Sequence, residues 1–196
     1  MTRPENMLAE KIKDAFAPYY KVSLENCKKF VSLGEVIYCP KGEVLKRPHE
    51  IEKYFHLILS GSGSIHLWSK NNYKCVDLVY EFDFFGDYMS YITQRPSLLE
   101  TITIEDSELF QIPYHNFQKM LTTSEIGDKI SKTVSDYAFI SKQQQQIDLL
   151  TKTASERLQQ LKIQIPNVLE RTPKKYIASY LGITPQSLSR IIKTNL

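Results

Sequence analysis

The chain has 196 residues, 42% hydrophobic and 24% charged, which fits one large globular domain or two small ones and excludes a disordered or fibrous chain. Its net charge of +3 is uneven: Arg171, Lys174, Lys175, Arg190 and Lys193 follow residue 170 without any Asp or Glu, so the preceding 170 residues sum to −2. A basic module on a slightly acidic body points to contact with a polyanion, against the plainer alternative of a solvated tail.

The first segment, Met1 to Lys13, is polar and has no apolar core, so it does not read as a signal peptide. No apolar run approaches the roughly 18 residues that suggest a membrane span, and a cytoplasmic location is expected. Leu8 to Lys29 reads as helical, with Leu8, Ile12, Ala15 and Phe16 on one side. After Val31 the pattern shifts to short runs rich in Val, Ile, Tyr and Leu. They cover Glu35–Cys39, Glu43–Lys46, Tyr54–Leu59, Ser64–Ser69, Lys74–Tyr80, Glu100–Ile104 and Glu108–Ile112, and are broken by Gly, Pro, Asn and Asp. Evenly spaced short strands predict an antiparallel sandwich or barrel. The cysteines Cys27, Cys39 and Cys75 are odd in number and lack a CxxC spacing, which argues for buried thiols rather than a disulfide framework or zinc knuckle.

Beyond Tyr114 the period becomes helical. Ile126, Ile130, Thr133, Tyr137, Ile140, Gln144 and Ile147 recur at alternating steps of four and three, a heptad seam that needs a partner. That partner is either a second copy of the helix, predicted over about 124–150, or the β domain itself. Thr151 to Thr153 reads as a hinge, Ser155 as an N-cap, and Pro166 as the stop of the next helix.

The final segment, Pro173 to Lys193, reads as a helix-turn-helix. Pro173 suits a first helical turn, and Ile177, Ala178 and Leu181 form an apolar stripe. Gly182 permits a left-handed turn, and Thr184 and Pro185 begin a second helix whose Leu188, Ile191 and Ile192 face inward. Gln186, Ser187, Ser189, Arg190 and Lys193 are then left to point outward. Gln and Arg read adenine and guanine edges in bidentate fashion, and Lys174 and Lys193 suit phosphates. An ordinary helical hairpin is the structural alternative.

These residues resemble the DNA-binding helices of the Crp/Fnr superfamily of bacterial transcription regulators. Upstream, Gly42-Glu43-Val44-Leu45 resembles the family's early β-roll turn, Tyr54 to Gly61 its central hairpin, and Phe84-Phe85-Gly86-Asp87 the start of its phosphate-binding cassette. The resemblance implies an α+β chain: a cyclic-nucleotide-binding-like β-roll with a long dimerisation helix over residues 1–150, then a helix-turn-helix domain over 154–196. It further implies a homodimer on double-stranded DNA, with RNA polymerase as a further partner. By position, Thr184, Gln186, Ser187 and Arg190 become DNA contacts, and Gly86, Asp87, Ser97 and Leu98 line the effector pocket. No catalytic or metal-binding residues are implied.

The sequence departs from the family in three places. The family's phosphate-pairing arginine lies eleven residues after the cassette glycine, where this chain has Ser97, and Arg95 falls two residues early. Without that charge-assisted pair cyclic AMP is disfavoured as a ligand. No residues are present for the β wing that often follows the second helix, so that helix is expected to carry more of the DNA contact. The cysteine pattern of the iron–sulfur-sensing relatives is absent.

Two rival readings stay open. One is a sensor or interaction protein whose helix-turn-helix has lost DNA binding. The other is a cupin-like metal enzyme, with His56 and His66 as ligands on neighbouring strands. No P-loop, GxGxxG or Ser–His–Asp set supports another enzyme class.

Overall fold

The computed structural model describes residues 3–17, 20–70, 72–123 and 125–194. Two helices come first, α1 (Arg3–Phe16) and α2 (Leu24–Val31), where the sequence predicts one. The second helix starts at Ser23, whose hydroxyl accepts the Asn26 amide and so satisfies an end donor that a continuous helix would not expose.

Seven strands follow: β1 (Glu35–Cys39), β2 (Val44–Lys46), β3 (Tyr54–Ser60), β4 (Gly63–Ser69), β5 (Asn72–Val79), β6 (Leu99–Thr103) and β7 (Ser107–Pro113). They form two antiparallel sheets, ordered β1-β7-β3 and β2-β6-β4-β5. Strand periodicity explains why β3 and β7 are apolar on both faces. Phe55, Leu57, Phe110 and Ile112 face α1 and α2, while Ile58 and Leu109 turn into the layer between the sheets with Cys39, Ile65, Val79 and Phe85. Gly63 is required in this layer, because a Cβ there would lie 2.3 Å from the Phe85 ring.

A short helix, α3 (Tyr88–Thr93), interrupts the strands and is capped by Asp87. It falls between the predicted strands Lys74–Tyr80 and Glu100–Ile104, in a stretch the sequence reading leaves unassigned. After β7 come α4 (Tyr114–Thr123) and the 27-residue α5 (Glu125–Thr151), about 40 Å long at 1.5 Å per residue. Four helices complete the chain: α6 (Ala154–Gln164), α7 (Val168–Arg171), α8 (Lys174–Tyr180) and α9 (Pro185–Thr194). The cap of α6 is Thr153 rather than the expected Ser155. Its hydroxyl and the Glu156 carboxylate close a reciprocal capping box, which Ser155 could not form with an acid three residues on. Pro173 is likewise the residue before α8 rather than its first turn, with an extended ψ of 131°.

Leu158, Leu161, Val168, Ile177, Ala178, Leu181 and Leu188 share a core with Cys75, Leu78, Tyr80 and Ile104. The C-terminal helices therefore rest on the outside of β5. Among the described residues no helix is long and apolar enough to cross a membrane.

Candidate nucleic-acid interface and effector pocket

The α8–turn–α9 unit is built as its residue types require. Ile177, Ala178, Leu181 and Leu188 are fully buried, and Ala178 lets the two helices approach closely. Gly182 adopts φ +68°, the left-handed conformation in which an L side chain is strained. The Thr184 hydroxyl accepts the Ser187 amide at 3.1 Å and caps α9, with Pro185 as its first residue. Thr184 and Ser187 also hydrogen-bond each other through their hydroxyls at 3.1 Å.

Gln186, Arg190 and Lys193 are exposed at helical spacing along one face of α9, and Ser187 and Ser189 are half-buried beside them. Lys174 is exposed at the start of α8. The opposite side of α8 is docked on the sheet. The Ser179 hydroxyl accepts the Cys75 amide at 2.9 Å, and the Tyr176 ring lies 4.8 Å from that of His66.

Arg171, counted above with the basic module, turns the other way. Its guanidinium donates to both oxygens of Glu81 at 2.6 and 3.0 Å, to Glu105 at 2.8 and 3.2 Å, and to the Gly61 carbonyl at 3.0 Å. Burial alone would raise the Glu81 carboxyl, but Arg171 together with the Glu81 and Gly61 amides outweighs it and holds the group below its usual range. Arg171 thus fastens the C-terminal helices to the β layer, and Lys174, Lys175, Arg190 and Lys193 remain as the exposed cations. A doubly paired arginine is not distinguishable from a DNA-facing one by sequence, because its acids lie 66 and 90 residues away.

In the β layer, Gly86, Asp87 and Ser97 come together, and a residue that sequence reasoning missed joins them. The Lys46 ammonium lies 3.0 Å from the Asp87 carboxylate, with side-chain exposures of 1% and 0%, and also donates to Ser97 Oγ at 3.1 Å and the Leu99 carbonyl at 2.7 Å. The Ser97 hydroxyl donates to Asp87 as well. Asp87 accepts the Ser90 amide, which caps α3. The buried Glu52 carboxylate reaches Gly86 and accepts the Asp87 amide at 3.2 Å. Burial pushes Glu52 up to about 7 against the pull of the Asp87 and Tyr54 amides and of Lys46.

The cation is therefore supplied by β2 and is consumed internally. Leu98 is 47% exposed and does not close this cluster. A lysine inside a short apolar strand was the available signal, since a buried ammonium needs a buried acid.

Of the heptad positions, Tyr137, Ile140, Gln144 and Ile147 are exposed and Thr133 is half-buried; the side chains of Ile126 and Ile130 lie outside the described residues. The Thr133 hydroxyl bonds back to the Lys129 carbonyl, and Gln144 bonds Asp148 along the same helix. The other flank of α5 holds the β layer through Lys142–Asp77, Gln145 to the Val76 carbonyl, and Ser135 with Tyr88.

His56 and His66 do not lie on neighbouring strands as the metal-enzyme alternative requires. They sit in different sheets. His66 is engaged by Ser64 at 2.8 Å and Glu100 at 3.4 Å, and burial holds its imidazole below the usual value. Burial lowers His56 to about 4.

Two antiparallel sheets, a long helix beside them and a helical C-terminal unit make up the architecture. Residues 36–124 match the family model of the cyclic nucleotide-binding domain. Over that stretch the chain is similar to that domain, and over most of its length it has the fold of Crp/Fnr family regulators.

It is similar to the c-di-GMP responsive global regulator CLP of Xanthomonas campestris, with TM-score 0.65 and 16% identity over 88% of this chain and 91% of that one. It is also similar to FixK2 of Bradyrhizobium japonicum, with TM-score 0.72 and 16% identity over 82% and 83%. The catabolite activator protein of Thermus thermophilus gives TM-score 0.58 and 14% identity over 92% and 85%. These neighbours are regulators, not enzymes. No curated protein matches the sequence significantly.

Proposed function

We propose that this protein is a homodimeric, DNA-binding transcription regulator of the Crp/Fnr type, with residues 1–150 as the sensing and dimerising domain and 154–196 as a helix-turn-helix domain. The observation that carries the reading is the uncovered face of α9, where Gln186, Arg190 and Lys193 are exposed behind a fully buried Leu188. Gln186 and Arg190 would read base edges, with Thr184, Ser187 and Ser189 near the backbone and Lys174 and Lys193 on phosphates.

Dimerisation would pair the exposed apolar stripe of Tyr137, Ile140 and Ile147 with a second copy, joined by Ile126, Ile130, Thr133 and Gln144. A small-molecule effector would act by population shift, resetting the angle between two reading helices that must meet half-sites about 34 Å apart. RNA polymerase would be the downstream partner. A cyclic phosphate would have to displace Asp87 from Lys46, so cyclic AMP is not the effector we propose.

The test is selection of a random duplex pool by the purified protein at fixed salt, with and without cyclic AMP. The expected result is a palindrome with half-sites one turn apart, unchanged by the nucleotide. Arg190→Ala should cost about 1–3 kcal/mol at one position of each half-site. Weak, uniform binding without a consensus would favour the sensor reading instead.

A further inference from the structure

The contact between the β layer and the C-terminal helices holds a titratable ring that the function above does not use. His66 lies on β4 with its side chain 2% exposed, and its imidazole meets aromatic rings from two other elements. Tyr73 of β5 stacks on it at 4.3 Å, Tyr176 of α8 lies 4.8 Å away, and the two tyrosine rings are 6.0 Å apart. One side of the imidazole therefore depends on α8 for its cover.

The groups around His66 divide by element. Ser64 of β4, 2.8 Å from Nε2, and Glu100 of β6, 3.4 Å from Nδ1, both belong to the sheet. Each offers an oxygen that can accept a ring N–H, so both suit a protonated imidazole. On β5, Tyr73 and Cys75 are kept neutral because burial raises both groups. The cation that acts on His66 comes from α8: Lys175, whose ammonium lies 4.8 Å over the Tyr176 ring. Burial outweighs Glu100 and holds the imidazole below its usual value, and Lys175 adds to burial. If α8 leaves, Ser64 and Glu100 stay with His66, while the cover of Tyr176 and the charge of Lys175 go. The docked ring is therefore the harder of the two to protonate, and by linkage protons favour the undocked arrangement.

We infer that His66 makes the seating of α8 on the β layer sensitive to pH: protonation of its imidazole releases α8, and with it the turn and α9, from β5. The ring's contribution to docking is present above about 6.5 and is lost as pH falls through its lower, docked value. Glu81, whose carboxyl lies below its usual range, keeps its charge for Arg171 over that interval. The device uses no DNA contact, so it stands whether or not α9 reads DNA.

The Cys75 amide donates to the Ser179 hydroxyl of α8 at 2.9 Å, so its exchange with solvent deuterium reports docking directly. Residue-resolved amide exchange is measured by NMR on the full chain without DNA. Rates are corrected for the intrinsic pH dependence of exchange and referenced to amides of β3 and β7. Protection at Cys75 should fall about fivefold or more between about pH 7.5 and pH 5. His66→Gln should lose that fall. Lys175→Glu, at an exposed position, replaces the like charge with an acid and should shrink the fall about twofold or more. It serves as the test if His66→Gln does not fold. Equal protection at the two pH values in the wild type, the same fall in a folded His66→Gln, or an undiminished fall in Lys175→Glu would each overturn the inference.

Discussion

Two charged clusters in this molecule use similar chemistry to different ends. Lys46 with Asp87 is sealed inside the β layer, whereas Arg171 with Glu81 and Glu105 sits between the C-terminal helices and the sheets with about a quarter to a third of each side chain exposed. In the first, neither charge has water to fall back on, so the pair is indispensable once either member is present. In the second, water screens the interaction, and the planar guanidinium adds geometric specificity more than energy. One cluster is closed on itself inside the β layer, and the other sets where the α8–α9 unit rests.

The largest effect is expected at the sealed pair. Lys46→Met should destabilise the fold by about 3–5 kcal/mol in urea titrations, since it strands the Asp87 carboxylate. Adding Asp87→Asn, which keeps a cap for α3 while removing the charge, should recover most of that loss. No recovery would show that the lysine acts through packing instead.

Next come two buried groups with opposed titrations. Glu52 is raised to about 7 from 4.5, so its contribution is present below about 4.5 and is lost as pH climbs through 7. His56 is lowered from 6.5 to about 4, so its contribution is present above about 6.5 and is lost as pH falls through 4. Each is worth on the order of 3 kcal/mol, and they offset one another between those limits. Glu52→Gln should therefore give stability that rises from pH 4 to 6.5, and His56→Gln stability that falls from pH 4.5 to 7. Equal pH profiles in the two variants would contradict the opposition.

The exposed cluster should yield less. Arg171→Ala is expected to cost about 1–2 kcal/mol, and to raise amide exchange in α7, α8 and the facing part of β5 more than in β3 or β7. A loss as large as that of Lys46→Met would erase the distinction drawn between the two clusters. Smallest is Thr184→Ala, at about 1 kcal/mol from one lost cap, with faster exchange confined to the first turn of α9.

The strands were legible in the sequence because alternation and turn residues are local. Glu35–Cys39 is reproduced residue for residue, and the other six runs shift at their ends by only one or two residues. Gly182 and Thr184 announced the turn and cap through their own backbone and hydroxyl chemistry. The split between α1 and α2 was missed, because continuous apolar spacing hides a cap formed by an isolated serine.

What the sequence determined by itself was therefore the local grammar: strands, long helix, tight turn, and an exposed Gln186–Arg190–Lys193 face. Which charges are spent is set by distances in space. Arg171 and Arg190 look equivalent along the chain, and even Lys46, marked by its place in a short apolar strand, does not show which acid it meets. Charge pairing depends on distance in space, and the partners of Arg171 and Lys46 come from strands and turns tens of residues away. Hydrophobic periodicity carries no record of that proximity.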